Sequence, residues 1–174
     1  MPRSFDMATE YPGSVAAIHQ AFGDRQYWLA RLADSGADEA TLDQLTVDAA
    51  GGIAVVCTQV LHADRLPALV AQFHHGDLRI RREERWQPIR SGRVDGVVTG
   101  EIPGAPVSLR GTAALSPTDA GARLAVTTTV EVRVPLVGGK IENFIGAQLS
   151  DLVTAEQRFT TAWITGGPHG GVHH

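Results

Sequence analysis

The chain has 174 residues, of which 43% are hydrophobic and 20% charged, and its formal net charge is −4. This length fits one domain with a full core, and the weak negative charge excludes a general attraction to nucleic acid or to an anionic membrane. Cys57 is the only cysteine, which excludes a disulfide framework and a thiolate metal cage. The N-terminus has no apolar signal core, so we expect a cytoplasmic protein.

The first forty residues predict one strand and two short helices. An alternating pattern over 3–10 indicates an edge strand. Pro12 indicates the first turn of a helix that ends at Gly23. A second helix is predicted over 24–33, with Asp24 as its N-cap. The apolar side chains that this second helix is expected to bury are Trp28, Leu29 and Leu32.

The middle of the chain predicts six further strands. Their expected ranges are 41–48, 53–61, 77–86, 92–102, 106–115 and 122–134. The connection over 62–76 is expected to carry a small helix of its own. Because consecutive strands are joined mostly by short turns, the pattern predicts an antiparallel meander. Apolar and polar side chains alternate along the last strand, so one face of the sheet should be covered and the other wet.

The pattern over 138–164 predicts one long amphipathic helix. Its apolar side chains recur in steps of three, four and seven, which is the helical period. Such a helix is about 40 Å long and needs a large apolar surface to lie on, while its other face is too polar for a membrane span. We therefore predict an α+β fold. One curved, seven-stranded antiparallel sheet grips the C-terminal helix, with two short helices between the first two strands and a pocket beneath the long helix.

Five stretches of the sequence carry a resemblance to a known family. They are LPALVAQF at 66–73, DLRIRREERW at 77–86, PGAPVSLRGTAAL at 103–115, PLVGGKIE at 135–142 and AEQRFTTAW at 155–163. With the element order, they resemble the START-like helix-grip superfamily, also called SRPBCC, and more closely an uncharacterised bacterial domain-of-unknown-function branch. The resemblance implies a hydrophobic cavity between sheet and helix and carries no catalytic set. We expect one such domain over 1–165 and a flexible Gly- and His-rich tail over 166–174.

The strand predicted over 77–86 is the best candidate for polar chemistry. Its mostly apolar side carries Leu78, Ile80, Arg82, Glu84 and Trp86. Glu156 lies on the apolar stripe of the long helix, where a carboxylate is costly unless it is paired or hydrogen-bonded. We therefore predict that Arg82, Glu84 and Glu156 form a polar cluster in an otherwise apolar pocket. The cluster either orients a ligand, or its members form a structural ion pair or lie at the cavity rim in water.

The leading functional prediction is non-covalent binding or transport of a small hydrophobic ligand, such as a lipid or a polyketide-like compound. The residues expected to contact it are Phe73, Ile80, Arg82, Glu84, Trp86, Phe144, Leu152, Glu156 and Phe159. The segment 66–73 is predicted either to gate the pocket or to cap the core. We expect no cofactor, no metal site, no nucleic-acid partner and no stable membrane insertion.

Two other functions are compatible with the same pattern. An enzyme of the cyclase or dehydratase type would need a general acid or base over its substrate. The candidates for that role are His19, Tyr27, Glu84 and Glu156, and none is assigned as catalytic. The other alternative is an interaction module whose pocket is filled by its own side chains. That filling would come from Phe5, Met7, Trp86, Phe144, Phe159 and Trp163.

Overall fold

The computed structural model describes residues 2–72 and 74–166, so the predicted tail lies outside the described residues except for Gly166. The first half of the chain comprises β1 (Arg3–Tyr11), α1 (Val15–Phe22), α2 (Arg25–Asp34), β2 (Glu39–Val47), β3 (Ile53–Leu61), a 3-10 turn (Ala63–Arg65) and α3 (Ala68–Ala71). The second half comprises β4 (Leu78–Trp86), β5 (Val94–Glu101), β6 (Val107–Pro117), β7 (Ala122–Val132) and α4 (Gly138–Ile164).

The seven strands of the described residues form one antiparallel sheet in the order β1-β7-β6-β5-β4-β3-β2. Strands β2 to β7 are a meander, and β1 pairs with β7 along its whole length. Helix α4 lies on the inward face of this sheet, against β1 and β7. The predicted α+β helix-grip fold is therefore confirmed. No helix among the described residues is long and apolar enough to cross a membrane.

The start of α1 differs from the prediction, whereas the cap of α2 is confirmed. Pro12 precedes the helix, which begins at Val15 because the hydroxyl of Ser14 accepts a hydrogen bond from the amide of Ala17 at 3.1 Å. A hydroxyl that satisfies a free amide in the first turn is a favoured N-cap. Asp24 performs the same task for α2, accepting a hydrogen bond from the amide of the second helical residue at 2.8 Å.

The inward face of the sheet holds two apolar clusters of described residues. One joins α1 and α2 to one end of the sheet and contains Tyr27 and Trp28, and the other surrounds Ile141 near the start of α4. Helix α4 spans the distance between them. All of its residues are described, and none between Gly146 and Thr160 is buried. Every side chain along this middle stretch of α4 is therefore at least partly exposed, and we call the space between the stretch and the sheet the hollow.

Two glycines on the inward face of β5 differ in the room around them. A Cβ on Gly96 would lie 2.5 Å from Cε3 of Trp86, whereas a Cβ on Gly100 would lie 3.7 Å from Leu109. We expect Gly96→Ala to lower the free energy of unfolding by about 1–3 kcal/mol, because the indole must shift within a packed core. Gly100→Ala should leave it unchanged or raise it by up to about 1 kcal/mol. Urea unfolding of both variants tests this, and equal losses would contradict it.

Candidate functional site

Four charged side chains meet between the sheet and the helices. The two-residue alternation of β4 turns Arg82 and Glu84 to the inward face, where they pair in register with Cys57 and Val55 of β3. Helix α4 contributes Glu156, and α2 contributes Arg31. We call these four residues the charged cluster: Arg31, Arg82, Glu84 and Glu156.

Short contacts join all four members of the charged cluster. Arg82 donates from Nη1 to Oε2 of Glu156 at 2.8 Å and from Nη2 to Oε2 of Glu84 at 3.0 Å. Nη2 of Arg31 lies 2.7 Å from Oε1 of Glu156 and 3.8 Å from Oε2 of Glu84. Each oxygen of Glu156 therefore holds one guanidinium. The predicted contacts among Arg82, Glu84 and Glu156 are confirmed, and their role toward a ligand stays a prediction.

Arg31 is the member that the sequence pattern did not single out. The prediction that Leu29 is buried is wrong, since its side chain is 39% exposed, whereas Arg31 is buried. The guanidinium of Arg31 lies 4.6 Å from the ring centre of Trp28 and donates to the hydroxyl of Tyr27 at 3.2 Å. A signal was present in the charge balance. The predicted cluster had two inward carboxylates, Glu84 and Glu156, and one inward arginine, Arg82. This imbalance was the signal for a second buried cation.

The charges of the cluster stabilise one another. Burial alone would raise the pKa of Glu156, but the guanidiniums of Arg31 and Arg82 outweigh it and lower that pKa to about 2. Burial alone would lower the pKa of both arginines, and the attraction of Glu156 reverses this, so both are raised. Two positive and two negative side chains share the cluster, and their formal charges sum to zero.

Neighbouring side chains hold the cluster in place. The indole Nε1 of Trp86 donates to Oε1 of Glu84 at 3.1 Å, and its ring packs against Phe22 with a centroid distance of 4.9 Å. Trp86 therefore supports Glu84 from the core side. The hydroxyl of Tyr27 lies 2.6 Å from Oγ1 of Thr160, which ties α2 to α4 one turn beyond Glu156.

A small cavity opens beside the charged cluster, with a volume of about 70 Å³. Besides the cluster, its walls include Trp28, Leu32, Cys57, Gln59, Leu152, Ala155 and Phe159. This volume is under half of the roughly 150 Å³ that holds a benzene molecule. The cavity therefore has room for a polar group or a short chain, and a longer molecule must extend beyond it.

Cys57 is buried on β3, as predicted, and forms part of the cavity wall. Burial raises the pKa of its thiol to about 11. The thiol is thus protonated at neutral pH and acts as a small apolar group rather than as a nucleophile.

The remaining predicted ligand contacts lie at different distances from the cluster. Leu152 and Phe159 line the cavity, and Ile80 is half-buried two residues before Arg82 on the same face of β4. Phe144 is half-buried on α4 about three turns before Glu156, well away from the cluster. Phe73 lies outside the described residues.

Two candidates for acid–base chemistry, His19 and Tyr27, do not line the cavity. His19 stands on α1, outside the cluster, and its Nε2 lies 3.2 Å from the carbonyl oxygen of Gln87, which follows β4. Tyr27 is fully buried, and burial raises the pKa of its hydroxyl.

The segment 66–73 was predicted either to gate the pocket or to cap the core. Within it, Leu69 packs against the apolar cluster around Ile141.

A curved antiparallel sheet that grips a C-terminal helix, with charged side chains between them, defines a protein of the helix-grip class. The chain belongs to the family described as protein of unknown function (DUF2505), whose model matches residues 6–164. Uncharacterized proteins of Mycobacterium tuberculosis and Mycobacterium bovis are each 50% identical to it over 171 residues, covering 95% of this chain and 98% of theirs.

Two solved structures share the fold across almost the whole chain. Ara h 8.0201 is 11% identical, with a TM-score of 0.55, and covers 96% of this chain and 100% of its own. A protein from Thermus thermophilus is 16% identical, with a TM-score of 0.53, and covers 95% and 97%. At these identities the likeness concerns the fold alone.

Proposed function

We propose that the protein binds a small, mainly apolar molecule non-covalently in the hollow beneath α4, with the molecule's polar end at the charged cluster. One observation carries this proposal. The 13 residues between Gly146 and Thr160 include no buried side chain, although apolar Leu149, Leu152 and Phe159 lie half-buried toward the sheet. On the inward face of the sheet, Val98 and Leu109 are half-buried as well.

A ligand that covers the half-buried apolar side chains of α4 and of the sheet would be favoured by the hydrophobic effect. Removing apolar surface from water contributes about 25 cal/mol per Å², so covering about 200 Å² of wall and ligand contributes about 5 kcal/mol before the cost of association. The charged cluster supplies the few polar contacts that fix the orientation of a ligand in such a site. A transport protein and a storage protein for the same ligand would share this arrangement.

We also infer that this family is a branch of the START-like, SRPBCC superfamily, with its domain over residues 1–165 and a cytoplasmic location. The support is the shared helix-grip topology and the resemblance of the five sequence stretches. The ligand proposal depends on the hollow beneath α4 rather than on this relationship.

Filling the hollow tests the proposal. Gly100 faces inward on β5, in register with Arg82 and Leu109, and a Cβ there makes ordinary contacts. We expect wild-type protein to bind the neutral probe 1-decanol saturably in titration calorimetry. Gly100→Phe should weaken this binding at least about tenfold, because its ring occupies the hollow.

The control for this variant is Thr99→Phe, which adds the same ring to the outward face of the same strand. It should bind decanol as the wild type does. Equal decanol binding by Gly100→Phe would contradict a ligand site in the hollow, and so would a wild type that binds neither decanol nor its carboxylate analogue decanoate.

A further inference from the structure

We propose that the ligand carries a carboxylate, which takes the place of the Glu156 carboxylate on Arg31 and Arg82 while Glu156 turns outward. This inference rests on the proposed function and names the ligand class as monocarboxylic acids with an apolar chain. In the structure as it stands, Glu156 acts as the protein's own substitute for the acidic group of the ligand.

The geometry of the two arginines carries the first step. One carboxylate is held with each of its oxygens on a different guanidinium, at 2.7 Å from Arg31 and 2.8 Å from Arg82. Guanidinium groups bind carboxylates through strong, directional, charge-assisted hydrogen bonds. Any carboxylate that enters the cavity from the hollow finds the same two donors already in position.

The second step concerns which of the two glutamates a ligand carboxylate would displace from the arginines. The side chain of Glu84 is 6% exposed, whereas that of Glu156 is 22% exposed. Glu84 is also anchored by the indole of Trp86 through its second oxygen. Glu156 stands on α4 at the edge of the cavity, so it can exchange its two arginines for water with little rearrangement of the core.

Charge balance selects a carboxylic acid over other head groups. Exchanging one monoanion for another keeps two positive and two negative groups in the cluster. A neutral head group that displaced Glu156 would leave two buried guanidiniums sharing Glu84, and a buried unpaired charge is costly. A dianion would instead leave excess negative charge. The lowering of the pKa of Glu156 is consistent with a site that strongly favours one ionised carboxylate.

The experiment compares decanoate with 1-decanol, which has the same chain and no charge, on wild type and Glu156→Gln. Removing the internal competitor should tighten decanoate binding by at least about tenfold, while decanol affinity stays within about threefold. The matched control is Glu83→Gln, whose glutamate pairs with Arg81 and Arg85 on the outward face of the same strand. It should leave both affinities unchanged.

Each outcome decides between the two proposals. If decanol binds but Glu156→Gln gives no gain for decanoate, the carboxylate exchange is wrong and the ligand site stands. If neither probe binds the wild type, both proposals fail.

A second measurement on wild-type protein covers the case in which Glu156→Gln does not fold. In nitrogen-15 spectra, saturating decanoate should shift the side-chain Nε–H signals of Arg31 and Arg82, and decanol should not. Unmoved arginine signals with bound decanoate would overturn the exchange.

Discussion

Replacing Arg31 with methionine is expected to lower the free energy of unfolding by about 3–5 kcal/mol. The change removes the 2.7 Å contact with Glu156 and the stacking on Trp28, and it leaves two buried carboxylates sharing Arg82. Methionine keeps much of the length of the side chain, so the loss of unfolding free energy comes more from the missing charge than from the missing volume. Urea unfolding monitored by circular dichroism measures the effect.

The control for this experiment is Arg25→Met, at the exposed first residue of the same helix, which should change stability by less than about 0.5 kcal/mol. The double variant Arg31→Met/Glu156→Gln should lose less unfolding free energy than the sum of the two single variants. The reason is that it removes both charges of the pair and leaves neither unpaired. Similar losses for Arg31→Met and Arg25→Met would mean that the cluster contributes nothing to folding.

Acid is expected to destabilise the protein through Glu156. The pKa of this carboxyl falls from its usual 4.5 to about 2 in the folded state, because Arg31 and Arg82 overcome the effect of burial. A lowered folded-state pKa gives stability that is complete above pH 4.5 and is lost as the pH falls toward 2. At about 1.4 kcal/mol per pKa unit, the contribution of this one group reaches about 3 kcal/mol.

The measurement is the difference in unfolding free energy between wild type and Glu156→Gln at several pH values from about 6.5 to about 2.5, a window that spans the usual and the lowered pKa. The difference should be largest near neutral pH and shrink below pH 4.5, since the glutamine cannot titrate and the other carboxyls are common to both proteins. Glu83→Gln should change the free energy of unfolding little near neutral pH, because the arginines that pair with Glu83 are exposed. A difference for Glu156→Gln that is constant with pH would contradict the lowered pKa.

The sequence predicted the architecture well because its signals are local and periodic. The bounds of α4 follow from a helical period sustained over 27 residues, and the inward position of Arg82 and Glu84 follows from strand alternation. Glu156 was found because a carboxylate on an apolar stripe demands a partner. Each of these inferences needs only neighbours along the chain.

What the sequence could not predict depends on contacts between distant segments. Arg31 stands on a short helix where local rules place arginine in water, and only its partners on β4 and α4 explain its burial. The volume of the cavity depends on how closely α4 approaches the sheet. That spacing is set at positions such as Gly146, which has no side chain because the ring of Phe5 occupies the space.

The position of Cys57 makes its thiol a built-in probe for opening of the site. It is the sole sulfhydryl, and it lines the same cavity as Arg31, Arg82 and Glu156. Because the thiol is buried, an alkylating reagent reaches it only in molecules whose structure around the cavity has opened. The speed of alkylation therefore counts openings of the site directly, with no label introduced and no background from other thiols.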